Sequence, residues 1–177
     1  MEVVRYEVEG WGVGELALEG KRLLYHELPF PRPEIAPNHP HGIRVIPVVS
    51  VSAEDARVGD GSVPELARRL GAYFAGEPVS FDDVELELDW CTPFQRALAD
   101  ALRAVPRGET VTYGELAALA GRPNAPRAAG SFCAGNRFGI VIPCHRVVSA
   151  GGLGSYGSLG LSYKRRLLEL EGADVAL

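Results

Sequence analysis

Cys144 and His145 stand side by side behind a proline, in the run Ile140-Val141-Ile142-Pro143-Cys144-His145-Arg146-Val147-Val148. A thiol beside an imidazole is a candidate nucleophile and base, because the thiolate is the reactive form and an unperturbed thiol is mostly protonated near pH 7. The blander reading of Cys144 is a small buried hydrophobe, the common fate of a free cysteine. The apolar run Ile140 to Ile142 predicts a buried strand, and Pro143 cannot donate to a sheet ladder. Cys144 then falls where the backbone leaves the core. Glu171 falls at the end of a C-terminal helix, where the dipole disfavours an anion. A carboxylate kept there calls for a partner such as a histidine. Cys91 and Cys133 have no neighbouring histidine and read as packing residues.

The elements that must position these groups begin near Asp89-Trp90-Cys91, a plausible domain boundary. Thr92 and Pro93 predict an N-cap and first helical position, and Phe94, Leu98, Leu102 and Val105 then line one face. A second helix is expected over Tyr113–Ala120, broken by Gly121-Arg122-Pro123-Asn124. A third is expected from about Ala125 to Asn136. Two short helices joined by a glycine turn form a helix-turn-helix candidate whose second member would be the recognition helix. That helix opens Ala125-Pro126-Arg127-Ala128-Ala129-Gly130-Ser131, one cation among very small side chains. Such a helix either approaches a duplex closely, with Arg127 reaching in, or packs tightly on another helix with Arg127 solvated. The residues alone leave both open. Ser149–Gly152 reads as a hairpin-like turn, and Leu153 to Gly160 as a glycine-rich loop carrying Ser155, Tyr156 and Ser158. The last helix, about Ser162 to Glu171, sends Leu167, Leu168 and Leu170 inward, while Lys164, Arg165 and Arg166 add basic charge.

The first half reads differently. Glu2–Glu9, Gly14–Leu18 and Lys21–Leu28 alternate apolar and charged residues between glycines, which predicts a three-strand meander. Pro29 to Pro40 is a loop, and Ile43–Val51 a further strand interrupted at Pro47. Ser62 is the expected N-cap of a helix carrying Leu66, Leu70 and Phe74 and stopping at Gly76. Phe81 to Leu88 alternates again. His26, His39 and His41 lack structural zinc spacing and are taken as surface or turn residues, with no metal or cofactor expected. The fold class is therefore α+β: a small N-terminal antiparallel-sheet domain with a helix (1–89), then a mainly helical C-terminal domain containing the helix-turn-helix (90–177).

Composition sets the class. A 46% hydrophobic fraction supports a real core. No stretch approaches the roughly 20 apolar residues of a membrane span, and the opening Met1-Glu2-Val3-Val4-Arg5 lacks the pattern of a signal peptide. An odd set of three cysteines without framework spacing fits a reducing cytoplasm. The net charge of −5 conceals an asymmetry: residues 1–89 hold 8 Lys+Arg against 17 Asp+Glu, net −9, and residues 90–177 hold 10 against 6, net +4. A basic second half is compatible with phosphate binding, which needs a local surface rather than a basic whole.

Tyr113, Arg127-Ala128-Ala129-Gly130, Asn136, Pro143-Cys144-His145-Arg146-Val147 and Leu167-Leu168-Glu169-Leu170-Glu171-Gly172 follow one another at close spacing. In this the chain resembles the O6-alkylguanine-DNA alkyltransferases, also called methylated-DNA–protein-cysteine methyltransferases. The resemblance covers residues 90 to 177 well and the first half loosely. It implies double-stranded DNA containing O6-alkylguanine as partner, bound in the minor groove by a monomer, with the damaged nucleotide flipped out and Arg127 in the vacated stack. Small residues such as Ala128, Gly130 and Ser131 would permit the close approach. It implies that Cys144 takes the alkyl group by in-line displacement, irreversibly and once per molecule. His145 would deprotonate Cys144 through a water, Glu171 would orient His145, Asn136 would hold the active-site turn, and Tyr113 would protonate N3 of the leaving guanine. Backbone groups near Val147 would read the guanine edge, and Tyr156 would form part of the pocket loop.

Two features depart from the family pattern. Arg137 follows the asparagine where the family usually has proline. The loop reads Tyr156-Gly157-Ser158-Leu159-Gly160 where the family usually has Tyr-Ser-Gly-Gly, so Ser158 would stand in for the substrate-contacting serine. Two other functions compete: a non-catalytic protein that recognises alkylated DNA, and a thiol hydrolase. Retention of Cys144 weighs against the first, and the basic helix-turn-helix half against the second.

Overall fold

The structure, a computed structural model, describes residues 1–31, 44–50 and 63–174. The expectations placed on Ser62, His39, His41 and Pro33 to Pro40 lie outside these residues. The chain divides into two units, Met1–Glu87 and Leu88–Leu177.

Alternating side chains build the first unit. Strands β1 (Glu2–Val8), β2 (Gly12–Glu19) and β3 (Arg22–Phe30) pair antiparallel in sequence, as the meander predicts. Strand β4 (Arg44–Ser50) adds parallel to β1, and the short β5 (Glu85–Leu86) parallel to β3, for the order β4-β1-β2-β3-β5. Pro47 does not end β4. The register against β1 shifts instead, between Val4 paired to Ile46 and Tyr6 paired to Val49, as a residue without an N–H demands. Helix α1 (Val63–Phe74) packs on β1. Val3, Val4, Tyr6, Leu16 and Leu70 are fully buried in this unit. His26 is not a surface residue: it is buried in β3, with Nε2 2.5 Å from the Tyr6 hydroxyl. The alternation over Phe81–Leu88 yields only two strand residues. Arg69 forks onto Asp83 at 2.7 and 2.9 Å and bonds the Ser80 carbonyl at 2.7 Å, which holds the start of that segment as a turn.

The second unit is helical. Helix α2 (Pro93–Arg103) opens with a capping box: Gln95 N–H donates to the Thr92 hydroxyl at 3.3 Å, and Thr92 N–H to the Gln95 side chain at 2.8 Å. Leu98, Ala99 and Leu102 are fully buried. Strand β6 (Val111–Thr112) pairs parallel with β7 (Val147–Val148). Thr112 caps α3 (Tyr113–Leu119) in a second capping box with Glu115. Residues 120–125 then turn the chain into α4 (Pro126–Ala134), which has proline in its first turn and packs on α3. Helix α5 (Gly160–Glu171) stops at Gly172, whose φ of 79° is the left-handed C-terminal conformation that glycine adopts freely.

One expectation fails here. Ile140–Ile142 is buried, at 1–3% exposure, but it is a turn and not a strand. Its backbone groups find local partners. Asn136 donates to the Ile142 carbonyl at 2.8 Å, Phe138 N–H donates to the Asn136 side chain at 3.0 Å, and Ile142 N–H donates to the Phe138 carbonyl at 2.7 Å. A side-chain amide replaces the ladder. Ile140 sits at φ 69°, a conformation costly for a β-branched residue and held by the surrounding packing.

Core and cap should separate in a denaturant titration. Leu102→Ala is expected to cost about 2–5 kcal/mol, and Thr112→Ala about 1 kcal/mol. Guanidinium midpoints in the reverse order would show that the cap, not the α2 face, limits this unit.

Candidate active site

Cys144 opens a single 3-10 turn, Cys144–Arg146, directly after Pro143. Asn136 Nδ2, already committed to the Ile142 carbonyl, also donates to Cys144 Sγ at 3.1 Å. Burial pushes the Cys144 thiol up, while the Asn136 bond, the positive charge of Lys164 and the nearby Tyr156 pull it down without fully offsetting the burial. The resting group is a thiol surrounded by groups that favour its anion.

The next two residues turn toward the end of α5. His145 is fully buried, and its Nε2 lies 2.9 Å from Glu171 Oε1. Arg146 forks onto the same carboxylate, Nε to Oε2 at 2.9 Å and Nη2 to Oε1 at 2.9 Å, and bonds the Val105 carbonyl with Nη1 at 2.5 Å. Burial raises the Glu171 carboxyl, but the His145 and Arg146 hydrogen bonds outweigh it and hold the group well below the usual carboxylate range. Burial pushes His145 down, against the pull of Glu171. The consistent state is an ionised Glu171 neutralised by Arg146, beside a neutral imidazole. Its Nε2 carries the proton that the carboxylate accepts, so Nδ1 is the basic nitrogen. A neutral imidazole one residue from a thiol, with its ring locked, can take the thiol proton through a bridging water.

Tyr113 begins α3, and its ring lies between two glycines. A Cβ built on Gly130 would come 3.8 Å from its Cδ1, and one on Gly154 3.4 Å from its Cε2 and hydroxyl. Tyr113, Pro126, Arg127, Gly130, Gly154 and Ser155 line an open groove of about 450 Å³. Arg127, Ala128 and Ser131 are exposed on α4, while Ala129 is buried on its inner face. The Ser131 hydroxyl bonds the Arg127 carbonyl of its own helix at 3.0 Å.

The sequence-predicted residues thus fall into two groups. Asn136 bonds Cys144, Glu171 bonds the adjacent His145, and Tyr113, Arg127 and Gly130 share the groove. Val147 is fully buried, and its carbonyl accepts from Lys164 Nζ at 2.5 Å. Ser158 is exposed on the turn Gly157–Leu159 and does not line the groove, where the serine is Ser155. Arg137 stacks on Trp90, its guanidinium carbon 4.6 Å from the ring centroid. Sequence reasoning gave Arg146 no role and counted Lys164 only as basic charge on the last helix, and the structure buries Lys164 fully. The spacing held the signal. Lys164, Leu167, Leu168 and Glu171 recur at i, i+3, i+4 and i+7, the inward face of α5.

The fold and this site define an α+β protein whose second unit places a cysteine beside a buried imidazole–carboxylate pair. Residues 93–173 match the family model described as 6-O-methylguanine DNA methyltransferase, DNA binding domain. A methylated-DNA–protein-cysteine methyltransferase of Mycobacterium leprae is 42% identical over 145 residues, covering 78% of this chain and 86% of the relative. The crystal structure of Mycobacterium tuberculosis OGT in complex with DNA superposes with a TM-score of 0.74 at 34% identity, over 97% of this chain and 93% of that one. That of the M. tuberculosis O6-methylguanine methyltransferase gives 0.72 at 35%, over 96% and 93%. The chain belongs to the methylated-DNA–protein-cysteine methyltransferase family.

The buried carboxylate sets a pH signature. A carboxylate whose folded pKa is depressed adds stability that is present above its unfolded pKa and lost as pH falls through the folded value. Glu171→Gln is therefore expected to cost about 3–5 kcal/mol at pH 7, by leaving Arg146 without its charge partner. The gap between variant and wild type should narrow below about pH 4. Chemical denaturation at several pH values reads it.

Proposed function

We propose that the protein repairs DNA by direct, stoichiometric and irreversible transfer of the alkyl group from O6-alkylguanine to Cys144. The observation that carries this is the thiol itself: Cys144 Sγ accepts from Asn136, one residue from a neutral imidazole anchored on an ionised carboxylate. Double-stranded DNA is the partner, and membership of a DNA-acting family supports it.

In this reading α3 and α4 act as a helix-turn-helix, with α4 in the minor groove. The small side chains of Ala128, Gly130 and Ser131 favour close approach, and minor-groove proteins commonly insert a side chain where bases are unstacked. Arg127 fills the place of the flipped nucleotide. Flipping costs a few kcal/mol, least for a damaged pair. His145 Nδ1 takes the Cys144 proton through a water, and the thiolate displaces guanine from the alkyl carbon in line. The S–C bond forms as the C–O6 bond breaks. Tyr113 gives a proton toward N3 of the leaving guanine and is reprotonated from solvent, His145 returns the thiol proton to solvent, and the N3–H guanine tautomerises to the N1–H form. In sum the thiol hydrogen is exchanged for the alkyl group. A thioether has no easy return to thiol, so each molecule acts once. One flipped nucleotide needs one protein, so a monomer suffices. A reducing cytoplasm keeps Cys144 available.

Intact and peptide mass spectrometry after mixing with a duplex carrying one O6-methylguanine tests this. One methyl on the Cys144 peptide, saturating at one per protein, is expected. Cys144→Ser should take up none and still bind the duplex. Tyr113→Phe should slow transfer about a hundredfold, the scale of a general acid. Methyl-free wild-type protein after prolonged incubation would overturn the reading.

A further inference from the structure

Two arginines without a role in the mechanism above bracket α4. Arg122 lies in the connection before the helix and Arg137 just after it, and both are exposed. Neither is simply solvated. The guanidinium carbon of Arg122 lies 4.8 Å from the centroid of the Phe94 ring, and that of Arg137 4.6 Å from the centroid of the Trp90 ring. The two rings flank Thr92, the cap of α2. The start of α2 thus carries one aromatic mount for each end of α4.

Both cations keep their donors available. Among the described residues, neither guanidinium has a carboxylate or a hydrogen-bond acceptor. Asp89, the anion next to Trp90, is taken up by Arg96 at 3.6 Å. An aromatic face attracts a guanidinium without neutralising it, and a stacked guanidinium keeps its N–H groups at the edge of its plane. The side chain therefore loses part of its rotamer freedom before a ligand arrives. Covering the ring is a poor account of the Arg137 pair, because Trp90 stays 38% exposed. A planar fork with open donors suits an anion that offers several oxygens, and phosphate is such an anion.

The spacing fits a duplex. Helix α4 has nine residues, a length of about 13 Å. Arg127, Ala128, Ser131, Ala134 and Gly135 form its exposed side, between the two arginines. The minor groove is roughly 6 Å wide. Cations beyond the ends of a helix longer than that width fall at the sugar–phosphate backbones and not at the bases.

We propose that Arg122 on Phe94 and Arg137 on Trp90 are phosphate contacts that hold the duplex backbone at the two ends of α4. This rests on the reading of duplex DNA as the partner and of α4 as the helix that meets it. Their task differs from that of Arg127. They read no base, and they set affinity and register on damaged and undamaged DNA alike.

The test is the salt dependence of binding to an undamaged, fluorescein-labelled duplex, followed by anisotropy between about 50 and 200 mM salt. Each neutralised phosphate releases counterion and steepens log K against log salt by about 0.9. Arg122→Gln and Arg137→Gln are each expected to flatten the slope by about 0.9, and the double variant by about 1.8. Trp90→Leu keeps every charge and removes one mount, so binding should weaken about threefold at an unchanged slope. Arg103→Gln, at the far end of α2, is the control and should leave the slope as it is. An unmoved slope in either Arg122→Gln or Arg137→Gln overturns the proposal. An equal flattening in Arg103→Gln overturns it too, by reducing the effect to net charge. The wild type gives a second reading. Duplex should shield Arg122 and Arg137 from phenylglyoxal and leave Arg103 unchanged, as read by peptide mass spectrometry. Equal labelling of the two with and without duplex rejects the contacts. A wild type with no affinity for duplex removes the DNA partner and this proposal together. A wild type that binds duplex but takes no methyl from O6-methylguanine defeats the repair reading and leaves the phosphate contacts standing.

Discussion

Glu171 is the group on which the geometry of the second unit turns. A carboxylate taken out of water costs several kcal/mol unless its oxygens are paired and hydrogen-bonded. This one also stands at the negative end of α5. Its partners, Arg146 and His145, are the two residues that follow Cys144. Neutralising Glu171 and placing Cys144 are one event: the chain cannot bring both side chains to the carboxylate without setting the turn that begins at Cys144. Arg107 adds to this end of α5 by donating to the Leu170 carbonyl at 2.9 Å, one of the acceptors a helix end leaves open. The pair also sets the chemistry. Because Arg146 supplies the positive charge, His145 can stay neutral and keep a basic nitrogen.

Upstream of the turn, a second device does the work that a sheet does elsewhere. Asn136 bridges the Phe138 N–H, the Ile142 carbonyl and the Cys144 sulfur through one amide. The loop therefore needs no neighbouring strand, and it tolerates Ile140 at positive φ because the surrounding bonds over-determine the conformation. The same amide that satisfies the backbone reports on the state of the thiol. Structure and reactivity are coupled at Asn136 through a donor with only two hydrogens to give.

Much of this was legible in the residues, for physical reasons that differ from place to place. Helix starts at Thr92 and Thr112 could be read because capping is local, needing only residues three apart. The meander was legible from its period. The reading of Ile140–Ile142 as a strand failed because apolarity reports burial and not conformation. What decides the conformation is Asn136, whose partners lie two to eight positions away. His26 was misplaced because a histidine in a strand pattern looks polar, while its partner Tyr6 is twenty residues distant. Lys164 escaped because a lysine beside Arg165 and Arg166 reads as a charged run, although its helical phase is that of Leu167, Leu168 and Glu171. Phase was the better guide than composition. The same holds for the loop: a serine two positions from Tyr156 was taken for the groove residue, and the turn Gly157–Leu159 carries it outward while Ser155 faces Tyr113.

A cysteine kept as a thiol by burial looks at first unreactive. The balance at Cys144 argues otherwise. Burial opposes ionisation, while the Asn136 hydrogen bond, the Lys164 charge and the nearby Tyr156 favour it and are already in place. Each unit of pKa is about 1.4 kcal/mol, so modest strengthening of these contacts moves the thiolate fraction by orders of magnitude. Excluding water strengthens a fixed charge and a fixed donor together, because both act through the local dielectric. A site filled by substrate meets that condition, and an empty one open to water does not. A resting thiolate would be exposed to every stray electrophile and oxidant. The preorganised donors around a protonated sulfur reconcile reactivity toward one substrate with inertness toward the rest.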